Sequence, residues 1–209
     1  MTSPWDKRPY KLPLKIKVLA TCFLAFVIPV YWFEFGPENF LWGCDVALLL
    51  VTVALWLESR LLASMMAVGV LLMELIWNAD YLTRLLSGSH LFGLDLTSYM
   101  FDSQIGWTVR LVSFLLHIYL PVILIWMLYR LGYHHKALIG QTLLAWVVLP
   151  LTYWLTEPAD NINFVFGVNG EAQAWMPGPV YLLLLMILIP VIIYAPSHFL
   201  LKRLFGKSP

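Results

Sequence analysis

Ionisable side chains are rare inside the apolar stretches of this chain, and three of them, Asp45, Glu74 and His117, stand away from any polar run. His117 lies in VRLVSFLLHIYLPVILIWMLYR, residues 109–130, where little but hydrocarbon separates Arg110 from Arg130. An imidazole is a common general base, able to take the proton of a thiol or hydroxyl that then attacks a carbonyl carbon. The chain offers a thiol at Cys44, and Asp45 and Glu74 are carboxylates that can orient the ring and stabilise its charged form. Helical spacing puts Asn78 on the face of Glu74 and Ser113 on the face of His117, each four residues from its partner. Asn161 and Asn163 follow the fifth apolar stretch and can close the same pocket from above, and with Asn78 they are amide donors for an oxyanion. The candidate catalytic set is therefore His117, Cys44, Asp45 and Glu74, and the candidate substrate-binding set is Asn78, Ser113, Asn161 and Asn163.

A plainer reading stands beside this one. A polar residue in a span can simply hydrogen-bond across helices, which is worth about 0.6–2 kcal/mol. Ionisable groups inside a membrane nevertheless mark function by default. His117, Glu74 and Asp45 could count as three metal ligands, but no HxxxH or HExxH spacing accompanies them, and only one histidine lies deep enough to face a haem. No metal or cofactor is expected. His198 reads as an interfacial, snorkelling residue, His134 and His135 as an exposed turn, and Ala63 and Ala67 as a small face for close helix packing.

The elements that must position these groups are set by composition. Of 209 residues, 61% are hydrophobic and 12% charged, and the mean hydropathy is +0.79. So little charge cannot cover a water-soluble domain, so an all-α integral membrane protein is expected, one domain over 1–209. A net charge of +1 provides no basic stripe for nucleic acid. The polar opening MTSPWDKRPYKLPLKIK is not that of a removable signal peptide. Six stretches have the ~20 apolar residues a transmembrane helix needs: 17–33, 40–57, 61–77, 109–129, 137–156 and 179–201. Prolines 29, 121, 150 and 190 fall inside them, which bilayer helices tolerate when neighbours satisfy the freed carbonyls.

With the N-terminus cytoplasmic, all but Arg84 and Arg110 of the 13 Lys and Arg residues fall on the inner side. The expected topology is six crossings with both termini inside, in a bacterial inner (cell) membrane. The long segments 78–108 and 157–178 then lie outside, with acidic residues 34, 38, 80, 95, 102, 157, 160 and 171, and carry the function. LTRLLSGSHLFGLDLTSYMF is expected to lie in the interface as a partial helix or to fold back as a lid. At ~1.5 Å per residue, Asp45 lies about 7 Å below the outer surface, and Glu74 and His117 about 10 Å below it. Cys22 and Cys44 fall near opposite faces, so no disulfide joins them.

Three stretches carry a resemblance. SFLLHIYLPVILIWMLYRLGYHH resembles the catalytic-histidine segment of the androgen-induced-gene family of multipass hydrolases, which cleave fatty acid esters of hydroxy fatty acids with an intramembrane threonine and histidine. AVGVLLMELIWNADYLTRLL is similar to that family's preceding helix, and NFLWGCDVALLL falls where its nucleophile helix belongs. The resemblance covers about residues 40–136 and implies a catalytic role for His117. It departs at the nucleophile: Trp42 occupies the threonine position, and Cys44 lies two residues on. GCD is more similar to a Leu-Cys-Asp-like motif of related transmembrane acyltransferases, which implies Cys44 as nucleophile.

The leading expectation is a lipid-acyl hydrolase or acyltransferase acting through Cys44 and His117 on a membrane lipid or fatty-acyl substrate. A small proton-coupled transporter using Glu74, Asp45 and His117 is the alternative, and a non-enzymatic membrane subunit the third. Nothing in the sequence names a protein partner.

Overall fold

The computed structural model describes residues 12–91, 96–168 and 171–206. Lys7, Arg8, Lys11 and Lys207 of the inner basic set, and Asp95 of the outer acidic set, lie outside the described residues. All regular structure among the described residues is helical: α1 (Leu14–Phe35), α2 (Gly43–Leu57), α3 (Arg60–Ser87), α4 (Trp107–Leu131), α5 (Ala137–Leu155), α6 (Gly178–Ile189) and α7 (Ala195–Phe205). A π-helical turn, Pro190–Tyr194, joins α6 to α7, so that Gly178–Phe205 forms one apolar rod.

Five rods are long and apolar enough to cross a membrane: α1, α3, α4, α5 and the α6–α7 rod. The second expected span, 40–57, is shorter than the sequence suggested. Pro37–Leu41 forms a 3-10 turn, because Pro37 cannot continue a helix from Gly36, and α2 begins only at Gly43. The third span is longer than expected. Residues 78–87, assigned to the outer loop, continue α3 until Gly88 closes it in the left-handed conformation at φ +73°. The lid expected over 82–101 is thus partly this helix and partly a 3-10 turn, Ser98–Phe101.

The helices alternate in direction, and hydrogen bonds identify the two ends of the bundle. At one end, Lys17 of α1 pairs with Glu58 at 2.7 Å, Ser64 of α3 accepts from the His134 N–H at 2.9 Å, and the Tyr133 N–H donates to Phe205 O at 3.2 Å. At the other, Asn39 bonds Asp45, the Gly43 N–H donates to Asn163, and Tyr99 bonds Ser113. Glu58 makes the tight α2–α3 turn in the left-handed region, φ +50°, and Ser59 caps α3 by accepting from the Leu62 N–H at 3.3 Å.

α3 is the hub, packing on α2, α4, α5 and α7. Its small face works as the sequence suggested: Ala63 and Ala67 are fully buried. A Cβ on Gly69 would lie 2.3 Å from Gln141 Nε2, so α3 and α5 approach closely there. Leu48, Leu55, Met66, Leu116, Leu120, Leu124, Met127 and Leu128 fill the interior. The outside is equally apolar, with Phe33, Leu86, Trp154 and Tyr129 almost fully exposed. A hydrocarbon exterior of this kind is matched only by a hydrocarbon solvent. The chain is an integral membrane protein.

Two intramembrane prolines receive the compensation the bilayer demands. Pro121 has no N–H for the carbonyl of His117 four residues back, and Asn78 Nδ2 of α3 donates to that carbonyl at 2.8 Å. Pro190 likewise frees Met186 O, which accepts from Trp146 Nε1 of α5 at 2.9 Å. His198 does not snorkel into solvent: it is buried and 2.6 Å from the Tyr133 hydroxyl through Nδ1.

Candidate functional site

Glu74 and His117 meet between the two most buried helices, α3 and α4. Oε2 of Glu74 lies 2.7 Å from Nδ1 of His117, with 2% and 8% of the two residues exposed. A carboxylate on Nδ1 fixes the ring's tautomer, leaving the Nε2 lone pair as the basic site. The ring lies flat on Trp77, centroids 3.9 Å apart and planes 16° from parallel, and Trp77 stacks in turn on Tyr81. Clamped by an acid at one edge and an indole on one face, the imidazole has one open direction.

That direction leads to Tyr99 and Ser113. The Tyr99 hydroxyl is 3.5 Å from His117 Nε2 and 2.6 Å from Ser113 Oγ. Burial pushes the Tyr99 phenol above its ordinary range, so it stays an O–H able to give one proton and accept another. Tyr99 also lines an open cavity of about 350 Å³ with Arg84, Ser98, Phe101 and Asp102, so one residue belongs to both the cavity wall and the buried relay.

The start of α2 supplies a second polar group. Asp45 is buried, and its Oδ2 accepts from Asn39 Nδ2 at 3.1 Å. Its Oδ1 has no hydrogen-bond partner. The Cys44 thiol makes its polar contact with Asp45 Oδ2 at 3.9 Å, and no hydrogen bond joins it to His117. Cys44 and Cys22 are both free thiols.

The amide candidates are engaged with backbone. Asn78 Nδ2 donates to Glu74 O and His117 O, 2.8 Å each. Asn163 Nδ2 donates to Leu41 O at 2.7 Å and Thr152 Oγ1 at 3.2 Å, while its Oδ1 accepts the Gly43 N–H at 3.1 Å. Asn163 therefore pins the outer loop to the first turn of α2. The loop turns through Asn161, Asn163 and Phe164, all at positive φ between +52° and +56°, a costly conformation for a phenylalanine that edge contact with Trp42 holds in place. Among the described residues, no group of three or more His, Cys, Asp and Glu is arranged to hold a metal.

Comparison of the chain with protein-family models, with curated proteins and with solved structures finds no match.

Tyr99 and Trp77 were not among the site residues read from the sequence. The tyrosine belongs to a loop without periodicity, so no helical face ties it to His117. Trp77 had a usable signal, lying three residues after Glu74 on the same side of α3.

Proposed function

We propose that this chain is a six-crossing membrane enzyme, both termini cytoplasmic, that cleaves or transfers the acyl group of a lipid ester at outer-leaflet depth. The observation that supports this reading is the series Glu74 Oε2, His117 Nδ1, His117 Nε2, Tyr99 hydroxyl, Ser113 Oγ, with successive contacts of 2.7, 3.5 and 2.6 Å flanking the ring. A carboxylate, an imidazole and hydroxyls in that order are the parts of a nucleophilic acyl-transfer site. Ser113 Oγ reaches the base through the Tyr99 hydroxyl, and in this reading it takes the nucleophile's role expected of Cys44.

In this reading Ser113 Oγ attacks the ester carbonyl carbon. Its proton passes to Tyr99 as the Tyr99 proton passes to His117 Nε2, and Glu74 stabilises the imidazolium. The tetrahedral intermediate collapses by breaking the ester C–O bond, and the departing alcohol recovers a proton from His117. Water, or an acceptor alcohol, then releases the acyl group by the reverse route. An acyl lipid is the substrate class that suits this reading because the surrounding exterior is hydrocarbon and Tyr99, the relay's middle member, also lines an open cavity.

The test is covalent labelling of the purified protein in lipid nanodiscs with a long-chain fluorophosphonate. The wild type is expected to label, and Ser113→Ala and His117→Ala to lower the rate by roughly 10²–10⁴-fold, the usual weight of such groups. Cys44→Ala should label like the wild type. Labelling that persists in both Ser113→Ala and His117→Ala sinks the mechanism, and loss in Cys44→Ala alone returns the nucleophile to the thiol.

A proton-coupled carrier is the second reading, favoured by the unpartnered Oδ1 of buried Asp45. It predicts proton uptake into proteoliposomes that Asp45→Asn abolishes, an outcome the enzyme reading does not produce.

A further inference from the structure

The opposite end of the bundle from the relay gathers positive charge from three elements. Arg60 opens α3, and the α4–α5 turn is stapled onto that helix start. Ser64 Oγ donates to Arg60 O at 2.7 Å and accepts the His134 N–H at 2.9 Å. Tyr133, beside it, takes Phe205 O through its N–H and His198 through its hydroxyl, which brings the end of α7, with Lys202 and Arg203, against the same turn. Arg130 closes α4 just before the turn and Lys136 follows it.

Among the described residues, no acid pairs with these charges. Glu58, the acid at the start of α3, is occupied by Lys17 at 2.7 Å and the Leu12 N–H at 3.1 Å. None of the ion pairs among the described residues involves Arg60, Arg130, Lys136, Lys202 or Arg203. The Nε groups of Arg60 and Arg130 are buried with no hydrogen-bond partner, an expensive condition for a charged donor. Burial first, then the charges of His135, Arg60 and Lys136, hold His134 below the usual histidine range, as expected of a cluster of cations.

Just beyond the cations, on the same helix ends, Tyr129, Ile139 and Leu204 are 76%, 64% and 62% exposed. A cationic rim above an apolar wall matches a phospholipid, with its phosphate among the guanidinium groups and its acyl chains along the helices. We propose that Arg60, Arg130, His134 and Lys136, with Lys202 and Arg203 beside them, bind the headgroup phosphate of an anionic phospholipid at this end of the bundle. The site is separate from the relay and does not depend on its chemistry.

The test is thermal unfolding of the full-length protein in detergent with added phosphatidylglycerol, phosphatidylcholine or inorganic phosphate. Phosphatidylglycerol at saturating concentration is expected to raise Tm by about 5 °C over the same amount of phosphatidylcholine. In the Arg60→Gln/Lys136→Gln variant this difference should shrink at least twofold. As a check independent of that variant's folding, native mass spectrometry of the wild type should retain phosphatidylglycerol in preference to phosphatidylcholine, and the surface variant Lys202→Gln/Arg203→Gln should retain less. Equal stabilisation by the two lipids, or an undiminished difference in the variants, overturns the proposal. An equal rise with inorganic phosphate alone overturns the lipid assignment in favour of a free anion.

Discussion

Asn78 does two things with one amide. It satisfies the His117 carbonyl that Pro121 leaves without a donor, and it ties α3 to α4 at the depth of the Glu74–His117 pair. Removing it orphans a carbonyl inside hydrocarbon, so Asn78→Ala is expected to cost about 1–3 kcal/mol of stability. In a Pro121→Ala background, residue 121 regains an N–H that can bond His117 O within the helix, and the same Asn78→Ala change should cost markedly less. Reversible unfolding of the four proteins in mixed micelles gives the coupling directly, and additive effects would show that the amide and the proline are unrelated. The depth of these side chains could be read from the sequence, because counting residues at the helical rise places Glu74 and His117 at one level. That Asn78 would spend its donors on backbone could not, since the need arises only when Pro121 and Asn78 face each other across two helices.

At the scale of elements, the segment after α3 decides whether the relay is complete. Fully buried Asp80 accepts from the Leu91 N–H at 2.8 Å and the Thr97 hydroxyl at 2.7 Å, and His90 Nδ1 lies 3.3 Å away. His90 also contacts Arg84. These bonds hold the chain that enters the Ser98–Phe101 turn and so set the position of Tyr99. Asp80→Ala removes every acceptor at once. Faster amide exchange confined to residues 88–91 and 96–101 is expected, together with slower fluorophosphonate labelling and unchanged exchange in the centres of α3 and α4. Uniform acceleration across all helices would instead make Asp80 a general stabiliser. The sequence indicated a long outer segment here but ended the helix at 77, since the polar residues of WNADYLTR looked like the end of a span. They are the polar side of one continuing helix, and it is on this extension that Asp80 and Arg84 stand. α2 erred the other way, because Phe40 and Leu41 are apolar yet follow Pro37, which starts a separate turn.

For the whole molecule, the proposed orientation rests on the charge asymmetry of the sequence, and the Lys17, Glu58, His134 and Phe205 contacts gather at one end. Reporter fusions after residue 206 and in the 132–136 turn should both register as cytoplasmic, and one in the 157–176 segment as external. A C-terminal reporter on the external side would reverse the assignment. α2 adds a property that concerns the bilayer more than the protein. Its 15 residues span about 22 Å at the helical rise, against a hydrocarbon core of ~30 Å. One response of a lipid sheet to so short a wall is to thin beside it, and thinning would bring the ester layer toward the start of α2, where Cys44 and Asp45 stand. Under the proposed lipid-ester chemistry, membrane thickness is then a control on access: reconstituted in bilayers of lengthening acyl chain, the protein should turn over a fixed ester probe progressively more slowly.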